Sequence, residues 1–176
     1  MNQTNTQLYK NIFVTIILII FIILIIGVLS YMLNIEKKYS ESFNQTKQKV
    51  LDDTEMTTIT NMYSFQESEF YHIFLGENES KDNLISVVQF DKENANPIDE
   101  IKTYDRTDFI SQKSILDKWA ETCDRCEFIN IQPAIIDDTL LWEISYNDVE
   151  NDYVLAYYLM TDGQEFESLK FQRNFK

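Results

Sequence analysis

Residues 140–163 read LLWEISYNDVENDYVLAYYLMTDG, and this stretch predicts two antiparallel strands followed by a tight turn. Apolar and polar positions alternate on both sides of an acidic loop, which is the period of half-buried strands. The apolar positions are Leu140, Trp142, Ile144 and Tyr146 in the first strand, and Tyr153, Leu155, Tyr157 and Leu159 in the second. Asp162 and Gly163 then predict a hairpin turn, because Gly readily takes the positive φ that such turns need.

The residues on either side complete a larger unit. Strand-like runs at Phe128–Ile136 and Phe166–Phe171 extend the pair to a four-stranded meander. Ahead of them, apolar residues recur at helical spacing after Ser111, which is placed as an N-cap. The apolar residues of that helix are Ile115, Leu116, Trp119, Ala120 and Cys123. We therefore predict one helix laid across a four-stranded antiparallel sheet.

The same order of elements occurs earlier in the chain. A Lys-, Glu- and Gln-rich stretch from residue 35 to about 52 has apolar residues at close to helical spacing. Four strand-like runs follow it, at Thr57–Phe65, Phe70–Leu75, Leu84–Phe90 and Ile98–Tyr104. The predicted fold is therefore α+β, with two consecutive units that each consist of a helix and a four-stranded meander. Because such small units bury only modest cores, we expect them to pack together or to lean on the N-terminal helix.

The N-terminal part of the chain predicts a membrane span. No charged residue occurs from Asn11 to Ile35, and 16 of the 21 residues from Ile12 to Met32 are Ile, Leu, Val or Phe. A helix of this length is roughly 31 Å long, close to the hydrocarbon thickness of a bilayer. A signal peptide has a shorter apolar core and an A-x-A cleavage site. We therefore predict an uncleaved anchor at residues 12–34, preceded by a short cytoplasmic segment at 1–11.

The charge distribution excludes one class of partner. All 29 acidic residues lie at or beyond Glu36, together with 14 of the 15 basic ones, so residues 36–176 carry a net charge of −15. A nucleic-acid binder needs a basic stripe to neutralise phosphates, and none is visible. The three Gly are too few and too scattered for a Gly-rich phosphate loop. Lysines flank the anchor on both sides, so charge alone does not decide its orientation.

These features together resemble a known family. The sequence L-L-W-E-I-S-Y at 140–146, the Tyr-rich strand at 152–158 and T-D-G at 161–163 lie in the second copy of a duplicated unit that follows a predicted membrane helix. In this the chain resembles the TseB-like, or YpmB-like, cell-wall elongation regulators of Gram-positive bacteria. The resemblance implies a cystatin-like first domain at 35–106 and a PepSY-like second domain at 107–176.

The resemblance also implies a function. It implies an extracellular body, anchored in the cell membrane by one span, that acts through a monofunctional penicillin-binding transpeptidase of the elongation machinery. It implies no catalytic residue and no cofactor, so we expect a non-enzymatic adaptor. Two alternatives remain open, namely a PepSY-type inhibitor or chaperone of a secreted peptidase, and a thiol-disulfide enzyme that uses Cys123 and Cys126. Those cysteines and the greater acidity depart from the family pattern.

The C-x-x-C sequence at Cys123 and Cys126 is compatible with a redox pair, half of a zinc site or a plain disulfide. Zinc needs further ligands, and the sole histidine, His72, lies in the other predicted unit. A thioredoxin-like pair begins a helix in a βαβ unit, whereas this pair closes a helix. A local disulfide or two unpaired thiols remain, and we predict the disulfide for an exported body, where no reductant keeps thiols open.

Other candidate sites are weaker. The loop Asn147–Asp152 offers oxygen ligands but lacks the Gly and the terminal Glu of an EF-hand, so we expect no metal there. A single histidine and the absence of G-x-S-x-G disfavour a hydrolase. For partner contact we select Tyr157 and Tyr158, which point to opposite faces of one strand. At most one of them can be buried against the helix, so we expect the other to be exposed.

Overall fold

The chain begins with one long helix, α1, which runs from Gln3 to Asp53. The computed structural model describes residues 3–90 and 97–173. Three short stretches lie outside the described part. They are the first two residues of the predicted cytoplasmic segment, residues 91–96, and the last three residues of the predicted second domain. Within α1, Thr15–Asn34 is long and apolar enough to cross a membrane, and none of its apolar window is buried. This is consistent with the predicted single-pass anchor.

The first sheet follows α1 as a four-stranded antiparallel meander. Its strands are β1 (Thr58–Gln66), β2 (Phe70–Glu77), β3 (Asn83–Phe90) and β4 (Pro97–Asp105), and each strand pairs with the next. Every boundary lies within two residues of the prediction. The β-branched and aromatic residues of these runs predict the strands well, because β2 and β3 are buried on both faces.

The last turns of α1 pack on one face of the first sheet. Thr46 and Val50 of α1 are fully buried, and Thr46 Oγ1 lies 3.2 Å from Nδ1 of His72 in β2. By compactness the chain divides into residues 1–44 and 45–176, so these turns belong to the same unit as both sheets. The predicted boundary between 106 and 107 falls in a short 3₁₀ helix (Arg106–Asp108) and stays a prediction.

The second helix-plus-meander unit repeats this arrangement within residues 45–176. Helix α2 (Gln112–Thr122) precedes a second sheet. As predicted, Ser111 is the N-cap, since its side chain accepts a hydrogen bond from the Ser114 N–H at 3.1 Å. Ile115 and Trp119 are buried, whereas Ala120 is exposed, so the buried stripe of α2 is narrower than predicted. The α+β class and the duplicated helix-plus-meander architecture are confirmed.

The second sheet consists of β5 (Glu127–Ile136), β6 (Thr139–Asn147), β7 (Tyr153–Leu159) and β8 (Glu165–Phe171), again paired in chain order. Helix α2 covers one face of it. The indole N–H of Trp142 donates to the carbonyl of Ile110 at 3.0 Å, just ahead of α2, and the Trp119 and Tyr146 ring centroids are 5.3 Å apart. The face that carries Trp142 and Tyr146 is therefore the helix side of this sheet.

Gly163 closes the predicted turn between β7 and β8. Its φ of +67° lies in the left-handed region, and a Cβ at this position would stand 2.9 Å from Cδ1 of Ile115. The carbonyl of Gly163 also accepts a hydrogen bond from Lys118 of α2. The turn thus needs a residue that tolerates positive φ and leaves room for the helix.

The two sheets share one hydrophobic core. It includes Phe65, Ile73 and Ile85 of the first sheet together with Leu141 and Tyr157 of the second. Ile73 alternates with His72, so it lies on the face that α1 does not cover. Strand β5 contacts β1 and β2. The faces without helices therefore meet in the middle, and each small unit supplies the apolar cover that the other lacks.

Candidate functional site

The C-x-x-C sequence forms the turn between α2 and β5. Cys123 is the C-cap of α2, its N–H donates to the Trp119 carbonyl at 3.0 Å, and Arg125 takes a φ of +67°. A disulfide joins Cys123 and Cys126, whose Cα atoms are 5.6 Å apart, and both residues pack against the core. The pair follows a helix C-terminus, whereas reactive cysteines commonly lie at a helix N-terminus. Its oxidation state in cells stays a prediction.

Three carboxylates of the loop between β6 and β7 converge on one ammonium group. Nζ of Lys170 in β8 lies 2.7 Å from Asp148 Oδ2, 2.7 Å from Glu150 Oε2 and 3.3 Å from Asp152 Oδ2. In the part of the chain that the structure describes, this is the one His, Cys, Asp and Glu cluster tight enough to share a metal ion. The Lys170 ammonium already occupies its centre.

The electrostatics of this loop follow from that contact. The hydrogen bond to Asp148 raises the pKa of Lys170, with further contributions from Glu150 and Asp152. In turn, the hydrogen bond from Lys170 holds the pKa of Asp148 below its ordinary value. The loop therefore receives its counter-charge from β8 and ties the end of that strand to the β6–β7 connection.

His72 is a buried residue of the first unit. Its side chain is fully buried, and its ring centroid lies 4.3 Å from that of Phe90. Burial lowers the pKa of His72 to about 4, so the ring is neutral at pH 7. The zinc hypothesis needed this residue beside Cys123 and Cys126, and the structure does not bring the three together in a metal-ligand cluster.

Tyr157 lies between the two sheets. Its hydroxyl donates to Oε2 of Glu143 at 2.8 Å, and Oε1 of the same carboxylate accepts from Gln132 at 2.8 Å. The Tyr157 ring stands edge-on to that of Phe65, with the centroids 6.5 Å apart. Burial, and then the hydrogen bond to Glu143, raise the pKa of Tyr157. This side chain joins the sheets rather than facing solvent.

Tyr158 lies on the helix side of the same strand, and burial raises its pKa to about 12. Only 6% of Tyr157 and 8% of Tyr158 are exposed. The expectation that one ring would be exposed is wrong, because the first sheet covers the face that α2 leaves open. The role of these two residues as partner contacts stays a prediction, and neither offers an open ring to a partner.

The exposed apolar residues of the described body lie elsewhere. Four of them, Met62, Phe128, Ile129 and Val149, are spread over other elements, and three lie together on β8. All seven residues of this strand are exposed, and its apolar side chains are Phe166, Leu169 and Phe171 at 43, 39 and 51% exposure. Only β7 pairs with β8 among the described strands, so β8 is an edge of the second sheet. We call Glu165–Phe171 the β8 edge.

The sequence itself carries a signal for this surface. The run Phe166–Phe171 was predicted as the last strand of a meander, and such a strand has a neighbour on one side only. Three large apolar residues on an edge strand mark a candidate contact surface. Tyr157 and Tyr158, the predicted contacts because they point to opposite faces of one strand, lie instead on the inner strand β7.

Comparison with solved structures identifies the fold. The YpmB protein from Bacillus subtilis superimposes with a TM-score of 0.62 at 20% sequence identity, over 72% of this chain and 95% of that one. The chain has the YpmB fold. This agrees with the predicted order of helix and meander in both units, and at 20% identity it is a statement about the fold alone.

Other comparisons add little to this. The Bacillus megaterium YpeB C-terminal domain aligns at 16% identity over 76% of this chain and 65% of that one, with a TM-score of 0.33. No protein-family model matches the chain. No curated protein sequence matches it either.

Proposed function

We propose that this chain is a non-enzymatic regulator of cell-wall elongation whose extracellular body binds a monofunctional penicillin-binding transpeptidase. One observation carries the proposal: an exposed apolar helix of membrane length continues into a body of two meanders with the YpmB fold. The choice of partner comes from the resemblance to TseB-like regulators, which is most specific from Ile110 to Phe171. The orientation, with the body outside the cell membrane, comes from the same resemblance.

The polar side chains that an enzyme could use for catalysis make internal contacts that stabilise the fold. Glu143 binds Tyr157 and Gln132, the three loop carboxylates bind Lys170, and the two cysteines are joined to each other. These contacts stabilise turns and sheet packing. A binding protein needs only a stable framework that presents a surface to its partner. Internal contacts of this kind make the framework stable.

The membrane anchor has a physical role in this function. Two proteins held in one membrane meet at a far higher effective concentration than two free proteins, so weak contacts suffice. We therefore expect the isolated pair to bind weakly. The body's net charge of −15 also disfavours anionic wall polymers as the main ligand, which leaves protein as the better partner.

Crosslinking in living cells tests the proposal. Intact cells that carry the epitope-tagged full-length protein are first treated with a fluorescent penicillin, which labels transpeptidases covalently. The cells are then crosslinked, and the tagged protein is purified under denaturing conditions. We expect a fluorescent adduct with the combined mass of the two proteins. Its absence, with the tagged protein present at normal abundance, would contradict the proposed partner.

The orientation has its own test. Protease added to intact, wall-stripped cells should degrade the chain beyond about Glu36 and leave a membrane-protected N-terminal fragment. A cytoplasmic marker protein must stay intact as the control for lysis. Full protection of the acidic body would contradict an extracellular location.

A further inference from the structure

We propose that the β8 edge is the docking surface, and that it takes an extended segment of the partner as a fifth strand of the second sheet. The segment fits best when its apolar residues alternate with Lys or Arg. This inference rests on the proposed function and specifies the surface and the mode of binding. The backbone, the exposed side chains and the charges of β8 carry it.

The backbone provides the first step. An edge strand has a row of N–H and C=O groups directed away from its one neighbour, and this row can pair with another extended chain. Proteins commonly protect such edges with Pro, with an outward Lys or with a covering loop. β8 contains no Pro, and its one lysine, Lys170, is drawn back onto the β6–β7 loop. The edge is therefore left open.

The side chains provide the second step. Leu169 and Phe171 pair with Leu155 and Tyr153 of β7, and the rings of Tyr153 and Phe171 are 6.1 Å apart. These four residues form an apolar shelf beside the open backbone. In a strand added along β8, every second side chain would lie on the same face of the sheet as this shelf and beside it. The partner segment therefore needs an apolar residue at every second position.

Charge determines the rest of the segment. Glu165 and Glu167 are exposed on β8, and the neighbouring loop adds Asp148, Glu150 and Asp152 against the single ammonium of Lys170. Five carboxylates and one ammonium leave this region negative. Lys or Arg residues in the added strand would complement that charge and accelerate encounter.

The same charge disfavours a second copy of this chain as the occupant. Antiparallel pairing of β8 with another β8 would bring two sets of Glu165 and Glu167 to one seam, and like charges near each other across strands are destabilising. The opposite edge of this sheet, β5, already contacts β1 and β2 of the first sheet. Only the first four residues of β5, Glu127–Asn130, are exposed, whereas all seven residues of β8 are. The β8 edge is therefore the more open of the two edges of the second sheet.

Site-specific photocrosslinking of the full-length protein in cells tests the surface. The photoreactive residue p-benzoylphenylalanine replaces Phe166 or Phe171 on β8. Matched controls carry it at Met62 on β1 or Ile129 on β5, which are 43 and 46% exposed. We expect adducts that bind fluorescent penicillin from the two β8 positions and not from the controls. The crosslinked partner peptide, identified by mass spectrometry, should alternate apolar and basic residues.

Charge reversal tests the mode of binding. Glu165→Lys in the Phe171 photoreactive protein should lower the adduct yield about fivefold or more. Glu165 pairs with Tyr158 and so lies on the face of β8 opposite the shelf, where the basic side chains of the added strand would lie. Glu79→Lys is the matched control, because this residue is also exposed but lies in the β2–β3 connection of the first sheet. Equal yields from both variants would overturn the charge argument.

The outcomes separate the surface from the function. Penicillin-binding adducts from Met62 or Ile129 but not from β8 would overturn the docking surface and leave the proposed function standing. An adduct of two copies of this chain would overturn the proposal of a different protein as occupant. An identified basic, extended segment from a protein that binds no penicillin would support the β8 edge and overturn the proposed partner.

Discussion

The Tyr157 hydroxyl donates a hydrogen bond to Glu143, 2.8 Å away, while the ring packs edge-on against Phe65 of the other sheet. One side chain therefore joins neighbouring strands of the second sheet and connects the two sheets. This contact helps to explain why residues 45–176 form one compact unit although the sequence predicts two helix-plus-meander domains. Changes at Tyr157 should therefore affect the stability of the whole body.

Truncation of Tyr157 should destabilise the body strongly. We expect Tyr157→Ala to lower the free energy of unfolding by about 3–5 kcal/mol, as for other buried aromatic residues. Tyr157→Phe keeps the ring and removes only the donor to Glu143, so its cost should be about 1–2 kcal/mol. Denaturant unfolding of the full-length protein in detergent measures both. Tyr104→Phe, whose hydroxyl donates to no described residue, is the control and should change little.

The stability of the body should fall on mild acidification because of His72. Its folded pKa of about 4 lies below the ordinary value of 6.5, so the unfolded state binds the proton first as pH falls. The stabilisation is complete above pH 6.5 and is lost as pH falls towards 4. Between pH 7 and 5 the loss should be about 2 kcal/mol.

His72→Asn is the matched variant for that experiment, since its amide can approach Thr46 without titrating. Because His72 is the sole histidine, the variant should show little change in unfolding free energy between pH 7 and 5. Equal pH dependence in both proteins would show that other groups, such as carboxylates, cause the effect.

The Lys170 cluster should stabilise the second sheet at neutral pH. Lys170→Met leaves three carboxylates close together without a counter-charge, so we expect a lower melting temperature at pH 7. The native contribution exists while Asp148 is ionised and is lost as pH falls through its lowered pKa. The difference between wild type and variant should therefore shrink on acidification and in high salt. Lys113→Met, which breaks one exposed pair with Asp117, should have a much smaller effect.

The strands were predictable from sequence, whereas the burial of Tyr157 was not. Alternation along β6 and β7 shows that each strand has two faces of different character. It does not show what covers the second face, because Phe65 lies far away in sequence and the packing of sheet on sheet has no local signal. The same reason applies to Lys170, whose partners become neighbours only when β8 pairs with β7. The Ser111 cap was predictable because it is a local contact.

The exposed residues of β5 show a second limit. A register irregularity between Phe128 and Asn130 disturbs the pairing with β6 and leaves Phe128 and Ile129 about 40 to 50% exposed. In the sequence nothing marks this irregularity within Phe128–Ile136. Bulges insert one residue into the alternation, so the faces of a strand cannot be assigned across one by counting in twos.

Loss of the disulfide should weaken the second unit without abolishing function. Closing so small a ring adds about 2 kcal/mol by chain-entropy estimates, so Cys123→Ser with Cys126→Ser should lower stability by about that amount. Wild-type protein treated with reductant should show the same loss. Alkylation of freshly isolated, unreduced protein should modify neither thiol. A cysteine-free variant that folds normally but fails to capture its partner would favour the thiol-disulfide alternative.

Attachment to the membrane should matter more to function than the chemistry of the attached helix. A secreted form without residues 10–35 keeps all of residues 45–176, so both sheets and their surface are unchanged. It loses the effective concentration that a shared membrane provides. We expect its transpeptidase adduct to fall by about 100-fold or more at native abundance. The matched control replaces residues 12–34 with an unrelated apolar helix of equal length, which should restore the adduct. Failure of that replacement, with normal insertion, would show that the native helix itself contacts the partner. Full capture by the released body would instead show that the surface alone binds tightly, and that tethering is not the basis of the function.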